Sequence, residues 1–350
     1  SHPPHGFFGL SQDWLIGITL QAVTLSIMFG VFVFLIKTSG AHVLQAKKQK
    51  VAARSYQGIG VSFMRLVLRV AGLRAAYLFL WFIVPYYYLF SARACRSSAQ
   101  YWKVVKPEMN FISRQKSILR QLFVFAQVLV DRAYQRGEKD LKFKIVEGAG
   151  IPEFKQTLKN SPQGLVAMQC HLGGWEISMS YFTQRYLESN KKMVAVMFGQ
   201  GGAHEHSSLQ KSRPNFEVAQ FNQQKDTIMK LRSYLEKGDL VGLMADRPVG
   251  RSYELIPFCG KLGLFDSTGI RLANLCKANV FFIFSVRLGY KEYYVNNIRA
   301  HLDTLIDQSL SNEDKVVAAL KIYAELLESY LKKHPEQWFN FFPFWSETLF

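Results

Sequence analysis

Residues 165–182 read LVAMQCHLGGWEISMSYF. The apolar run at 165–170 has the length and composition of a strand buried on both faces. His171 ends it, Gly173 and Gly174 supply a turn, and Trp175 and Glu176 open a stretch with helical spacing. Runs of the same apolar kind recur at 193–198, 240–245 and 280–286. Helical patterns at 175–187, 223–236, 267–277 and 313–333 lie between and after them. Strands alternating with helices predict an α/β domain, with a mostly parallel central sheet flanked by helices. Ahead of it, 113–136 has the spacing of an amphipathic helix, with Ile118, Leu122, Phe125, Leu129 and Ala133 on the inward face. Residues 139–144 read as a charged connector.

In an open parallel sheet, ligands collect at the carboxyl ends of the strands, which is where His171 falls. A His and a Glu five residues apart point to different faces of one helix, but a strand–turn–helix corner lets them meet, and the two glycines permit the tight path. A carboxylate that accepts one imidazole N–H leaves the other nitrogen free to act as a general base. The expectation is therefore a pair in which Glu176 orients His171. A capped turn with a core histidine is the competing reading.

HLGGWE (171–176) resembles the His-x4-Asp/Glu motif of the lysophospholipid acyltransferase-like superfamily. It is most similar to the bacterial branch that holds the lipid A late acyltransferases and the mycobacterial mannoside acyltransferases. Gly174 departs from that branch, where Asn is common. VGLMADRPVG (241–250) is similar to the family's Ala-Asp-Gln/Arg segment after a strand, and 256–288 resembles its second core block, in which an apolar, Gly-bearing loop enters a helix followed by a buried strand. HPEQWFNFFPFW (334–345) resembles the closing Pro-x-Gln-Trp-Phe-Asn-Phe signature of one acyltransferase subgroup. The likeness runs from about Arg65 to Trp345. It implies a glycerolipid acyltransferase-like fold and transfer of an acyl chain from a thioester to a hydroxyl or amine of a lipid or glycolipid acceptor. Acyl carrier protein is the expected donor, with acyl-CoA as the alternative, and neither a cofactor nor a metal is called for.

On that reading His171 takes the acceptor's proton, and backbone N–H groups around Gly173, Gly174 and Trp175 face the oxyanion of the tetrahedral intermediate. Arg247 follows the 240–245 strand and is a candidate partner for a phosphate or the oxyanion. Arg213 and Arg271 are candidates of the same kind, and Asp246 either positions Arg247 or caps the loop. The acyl chain is expected in the Phe-rich 258–286 region. Three further features carry less. His204, Glu205 and His206 lack a third metal ligand, Cys170 should point away from His171 across the strand, and the aromatic cluster of 338–345 reads as packing or membrane-facing surface.

Charge separates the two ends of the chain. Of a formal net charge of +17, twelve positive charges lie between Asp13 and Glu108, where there is no Asp or Glu at all. Within that segment, the uncharged run at 14–36 is long enough to span a bilayer. The lysines after it predict an outside N-terminus and a cytoplasmic body, hence a single-pass protein, and the resemblance implies that the membrane is the bacterial inner one. The aromatic stretch at 75–92, flanked by arginines, suits insertion in the interface of an anionic membrane better than a second crossing. The organisation expected is a transmembrane segment (1–37), a basic, aromatic membrane-associated segment (38–110) and a catalytic domain (111–350). Four scattered cysteines read as reduced and unpaired. Basic residues that flank lipid-like runs, with no groove-reading element, argue against a nucleic-acid binder. A catalytically idle membrane-associated scaffold or lipid-binding protein that keeps the fold is the alternative to an enzyme.

Overall fold

The computed structural model describes residues 63–345, apart from 137, 139, 186–190, 199–214, 222–224, 249–251 and 303–305. The expected span at 14–36, Arg213 and the 199–206 loop lie outside these residues. The compact unit Val67–Phe350 takes in residues expected to belong to the membrane-associated segment as well as the sheet.

Helical residues 63–70 lead into α1 (Gly72–Phe90), α2 (Ala92–Val105) and α3 (Phe111–Gln135). Then follow β1 (Lys144–Glu147), α4 (Ile151–Asn160), β2 (Leu165–Gln169), α5 (Trp175–Arg185), β3 (Met193–Phe198), β4 (Phe216–Phe221), α6 (Lys225–Glu236) and β5 (Leu240–Met244). The chain continues through β6 (Tyr253–Phe258), β7 (Lys261–Asp266), α7 (Thr268–Cys276), β8 (Asn279–Gly289), β9 (Glu292–Arg299) and α8 (Asn312–Lys333). The sheet has seven strands in the order β1-β9-β8-β2-β5-β3-β4. Every neighbouring pair is parallel except β8–β9, so β1 and β9 run against the other five.

The four apolar runs are strands β2, β3, β5 and β8, and all five residues of β2 are buried. Burial on both faces is what an unbroken apolar strand requires. On one face, Leu165, Ala167, Phe281 and Ile283 meet Phe154 of α4 and Met179 and Phe182 of α5. On the other, Phe282 and Phe284 meet Tyr323 of α8. The two long helices are capped as their ends require. Asn110 accepts from the Ser113 N–H at 2.9 Å at the start of α3, and Ser311 accepts from Asp314 at the start of α8.

Three elements differ from expectation. Residues 253–266 form an antiparallel hairpin, β6–β7, where a loop was expected. Its turn is Cys259–Gly260, both with positive φ, the backbone of a two-residue hairpin turn that matches strand twist. Lys144, expected in a solvated connector, begins β1. The third difference is the inward face of α3, which is partly polar: Gln121, Asp131 and Gln135 are buried with Ile118 and Leu122, while Leu129 is 38% exposed.

One of those polar groups, Asp131, binds the helices to the sheet. Asp131 is fully buried and accepts from Tyr77 of α1, from Tyr293 Oη of β9 at 2.5 Å, and from Arg287 Nε of β8 at 3.2 Å. Burial pushes its carboxyl up, opposed by the two tyrosine hydroxyls and the Arg287 charge. A carboxylate in this position is tolerable only because it is fully hydrogen-bonded. Replacing Asp131 with Ala strands a largely buried Arg287 and should cost about 3–5 kcal/mol of unfolding free energy. Asp131→Asn, which keeps two acceptor lone pairs, should cost less, as equilibrium denaturation in detergent will show.

Candidate active site

The site follows from strand register. In the parallel pair β2–β5, Gln169 lies opposite Met244, and the pairing runs one step further through Ala245 N–H to Gln169 O at 2.8 Å. Two residues past each reference position, His171 and Asp246 stand side by side at the carboxyl edge of the sheet. Asp246 Oδ1 lies 2.8 Å from His171 Nδ1, and Oδ2 accepts the His171 backbone N–H at 2.8 Å. Trp338 Nε1 donates to the same Oδ2 at 2.7 Å. Burial alone would raise the Asp246 carboxyl, but the His171 imidazole, its two hydrogen bonds and the Trp338 indole outweigh it and hold the group below the usual carboxylate range. An ionised carboxylate can only accept, so Nδ1 carries a proton, and in the neutral form of the ring it is Nε2 that presents the lone pair.

This corrects the pairing expected from the sequence. The carboxylate on the imidazole is that of Asp246, from a strand 75 residues away, and not that of Glu176. Glu176, in the first turn of α5, accepts from Arg132 Nη1 of α3 at 2.8 Å. The helix start turns this side chain toward α3, where the pair ties two helices together beside the site.

The turn between them is built for close approach. Gly173 has φ +52°, and a Cβ there would lie 2.3 Å from the Ser285 carbonyl oxygen. Its N–H donates to Gln337 O at 2.8 Å, which removes it from the expected oxyanion donors. Gly174 accepts from Ile177 and Ser178 at the head of α5, so the first-turn N–H groups begin at Trp175. A Cβ on Gly174 would lie 2.3 Å from the fully buried Tyr293 ring, which accounts for glycine where the related motif carries Asn.

Arg247, half-buried, sits with Nε and Nη2 at 3.4 and 3.3 Å from Asn340 Oδ1, and Asn340 Nδ2 donates to Asp246 O at 2.7 Å. Arg271 is elsewhere employed. Its guanidinium is paired with Glu254 of β6 and Glu313 of α8. Cys170 is buried, with its thiol pushed well up by burial, which makes it a poor nucleophile. Trp338, read from the sequence as packing or surface, belongs to the site, as does Asn340, which the sequence reading did not single out. Among the described residues no cluster of three His, Cys, Asp or Glu side chains is placed to hold a metal.

His171, Trp175 and Arg247 stand at one end of a cavity of about 230 Å³ that passes between α5 and the sheet. Leu240, Gly242 and Met244 line it, so it follows about 13 Å of β5. Ala167, Gly242 and Ala195 lie in register across β2, β5 and β3 and make the room, since a Cβ on Gly242 would meet only the Val194 carbonyl, at 3.8 Å. Of the Phe-rich 258–286 region expected to hold an acyl chain, Ile283 alone lines this cavity.

The model of the bacterial lipid A biosynthesis acyltransferases matches residues 48–347. The chain belongs to that family. No curated protein is similar enough to supply a closer relative. As a member of that membrane-associated family the chain is an α/β enzyme of the acyl-transfer class, and one described helix, α1, is long and apolar enough to cross a membrane. Gly174→Asn should force the Tyr293 ring aside and cost about 1–3 kcal/mol. Adding Tyr293→Ala should recover part of that loss at position 174, measured as a double-mutant cycle of thermal stability.

Proposed function

We propose that this lipid A-type acyltransferase moves a fatty acyl chain from an acyl thioester, on acyl carrier protein or CoA, to a hydroxyl or amine of a lipid acceptor. The observation that carries the reading is the Asp246 carboxylate on His171 Nδ1, which leaves Nε2 as the base beside an apolar cavity. As the acceptor oxygen or nitrogen attacks the thioester carbonyl, its proton passes to Nε2, and Asp246 stabilises the imidazolium that forms. The negative tetrahedral intermediate is met by the Trp175 N–H at the head of α5 and by the Arg247 guanidinium. Collapse expels the thiolate, which takes the proton back from Nε2. Arg247 also suits a phosphate of the donor or acceptor. The acyl chain lies along Ala167, Gly242 and Ala195, with its carbonyl at His171.

The exposed face of α1 fits the membrane side of this reading. Leu78, Trp81, Phe82, Leu89 and Phe90 are exposed, as are Phe111 and Ile112 at the start of α3. Arg74 of α1, Arg93, Arg96 and Lys103 of α2, and Lys106 just after α2 are exposed as well. Aromatic side chains in the acyl boundary and cations on anionic headgroups make an interfacial mount. It would hold the enzyme on the cytoplasmic face of the inner membrane, anchored by the 14–36 span. Acyl carrier protein, being acidic, would dock on a local basic patch.

His171→Ala should fold, stay with membranes and lose transfer from labelled acyl donor to a total lipid extract. Asp246→Asn should lower the rate about a hundredfold or more. Near-full activity in either variant would remove the mechanism. Gly242→Leu should shift the donor preference to shorter chains, with about a tenfold loss on the longest chain accepted. An unchanged chain-length profile would place the acyl group elsewhere.

A further inference from the structure

We infer that Trp338 is a positioning residue for the His171–Asp246 pair: its indole N–H fixes the Asp246 carboxylate in the rotation that presents Oδ1 to the imidazole. The inference rests on the reading of His171 as the base. Its ground is how the two ends of the hydrogen bond are held. Main-chain bonds join the closing segment to the turn, with Phe339 N–H donating to His171 O at 2.7 Å and Gly173 N–H to Gln337 O at 2.8 Å. Leu172 and Trp338 thereby form an isolated antiparallel bridge. The backbone that carries His171 and the backbone that carries Trp338 are one unit.

The segment is itself tied down on both sides. Gln337 exchanges two hydrogen bonds with the main chain of Arg287, at 2.7 and 2.8 Å. Gln121 Nε2 of α3 donates to Trp338 O at 2.6 Å, and Tyr101 Oη of α2 to Pro335 O at 2.7 Å. The indole, 1% exposed, is boxed by Tyr101, Phe258, Phe344 and Trp345. It has a single N–H donor, and packing on its faces leaves that donor one direction, toward Asp246 Oδ2.

Without it, Oδ2 keeps only the His171 backbone N–H. The carboxylate can then turn about its Cβ–Cγ bond, and Nδ1 loses an acceptor held at a set angle. The neutral imidazole then distributes its proton between Nδ1 and Nε2, and the Nε2–H form has no lone pair to offer an acceptor hydroxyl. This differs from a general packing role, which would alter stability without selecting a tautomer.

The test is 15N NMR of histidine-labelled protein in detergent, with the His171 signals identified by their loss in His171→Gln. The wild type should show the Nδ1–H tautomer. Trp338→Phe, with its fold checked by circular dichroism, should show a mixture of tautomers and a transfer rate lower by about ten- to a hundredfold, with little change in KM for acyl-CoA. Should that variant fail to fold, 3-benzothienylalanine at position 338 keeps the ring shape, removes only the N–H, and should give the same mixture. A wild-type tautomer in the folded Phe variant or the isostere overturns the inference. A tautomer shift in a protein that transfers no acyl group, wild type included, leaves the positioning role standing and overturns the proposed reaction instead.

Discussion

A carboxylate taken fully out of water at the edge of a sheet is stable only if its charge is met by donors, and Asp246 meets that condition with three. Two come from His171, one from its ring and one from its main chain, and the third is the Trp338 indole. The demand of one buried oxygen pair thus brings together the ends of β2 and β5 and the closing segment of the domain. The double glycine answers the same constraint. With His171 held at Asp246, the chain must pass under Ser285 and Tyr293 to reach α5, and only residues without a Cβ fit there.

A second buried carboxylate, Asp131, organises the packing beside the turn. It draws Tyr77, Arg287 and Tyr293 to a single point, and the Tyr293 ring lies against Gly174. The apolar helix α1 is therefore in physical contact, through hydrogen bonds and one ring, with the turn that carries the candidate active site. A helix whose outer face suits a membrane is built into the same frame as the site, which keeps the cavity mouth at a set position relative to the lipid surface in the proposed reading.

Much of this architecture was legible in the sequence, for a physical reason. Strands covered on both faces need unbroken apolar runs, so β2, β3, β5 and β8 announce themselves, and the strand–turn–helix corner marks His171. The partner of His171 was not legible in the same way. Glu176 is near in sequence, whereas Asp246 is near only once β5 pairs with β2, and strand order is not written in any local pattern. The inward face of α3 was misread because Gln121, Asp131 and Gln135 hold core positions through hydrogen bonds, a role that apolar spacing does not register. The β6–β7 hairpin carried a signal in Cys259–Gly260, and an apolar, Gly-bearing reading of that stretch passed over it. Trp338 looked like packing, which it is, but its one polar atom does the deciding work.

The central claim is that a base held by Asp246 transfers an acyl chain to a lipid. Mass spectrometry of total lipids from otherwise identical cells, one set making the wild-type chain and the other none, tests it most directly. The account predicts one lipid class that is heavier by a single acyl group only where the chain is made. Lipid profiles that match, with no class displaced by an acyl mass, would contradict it.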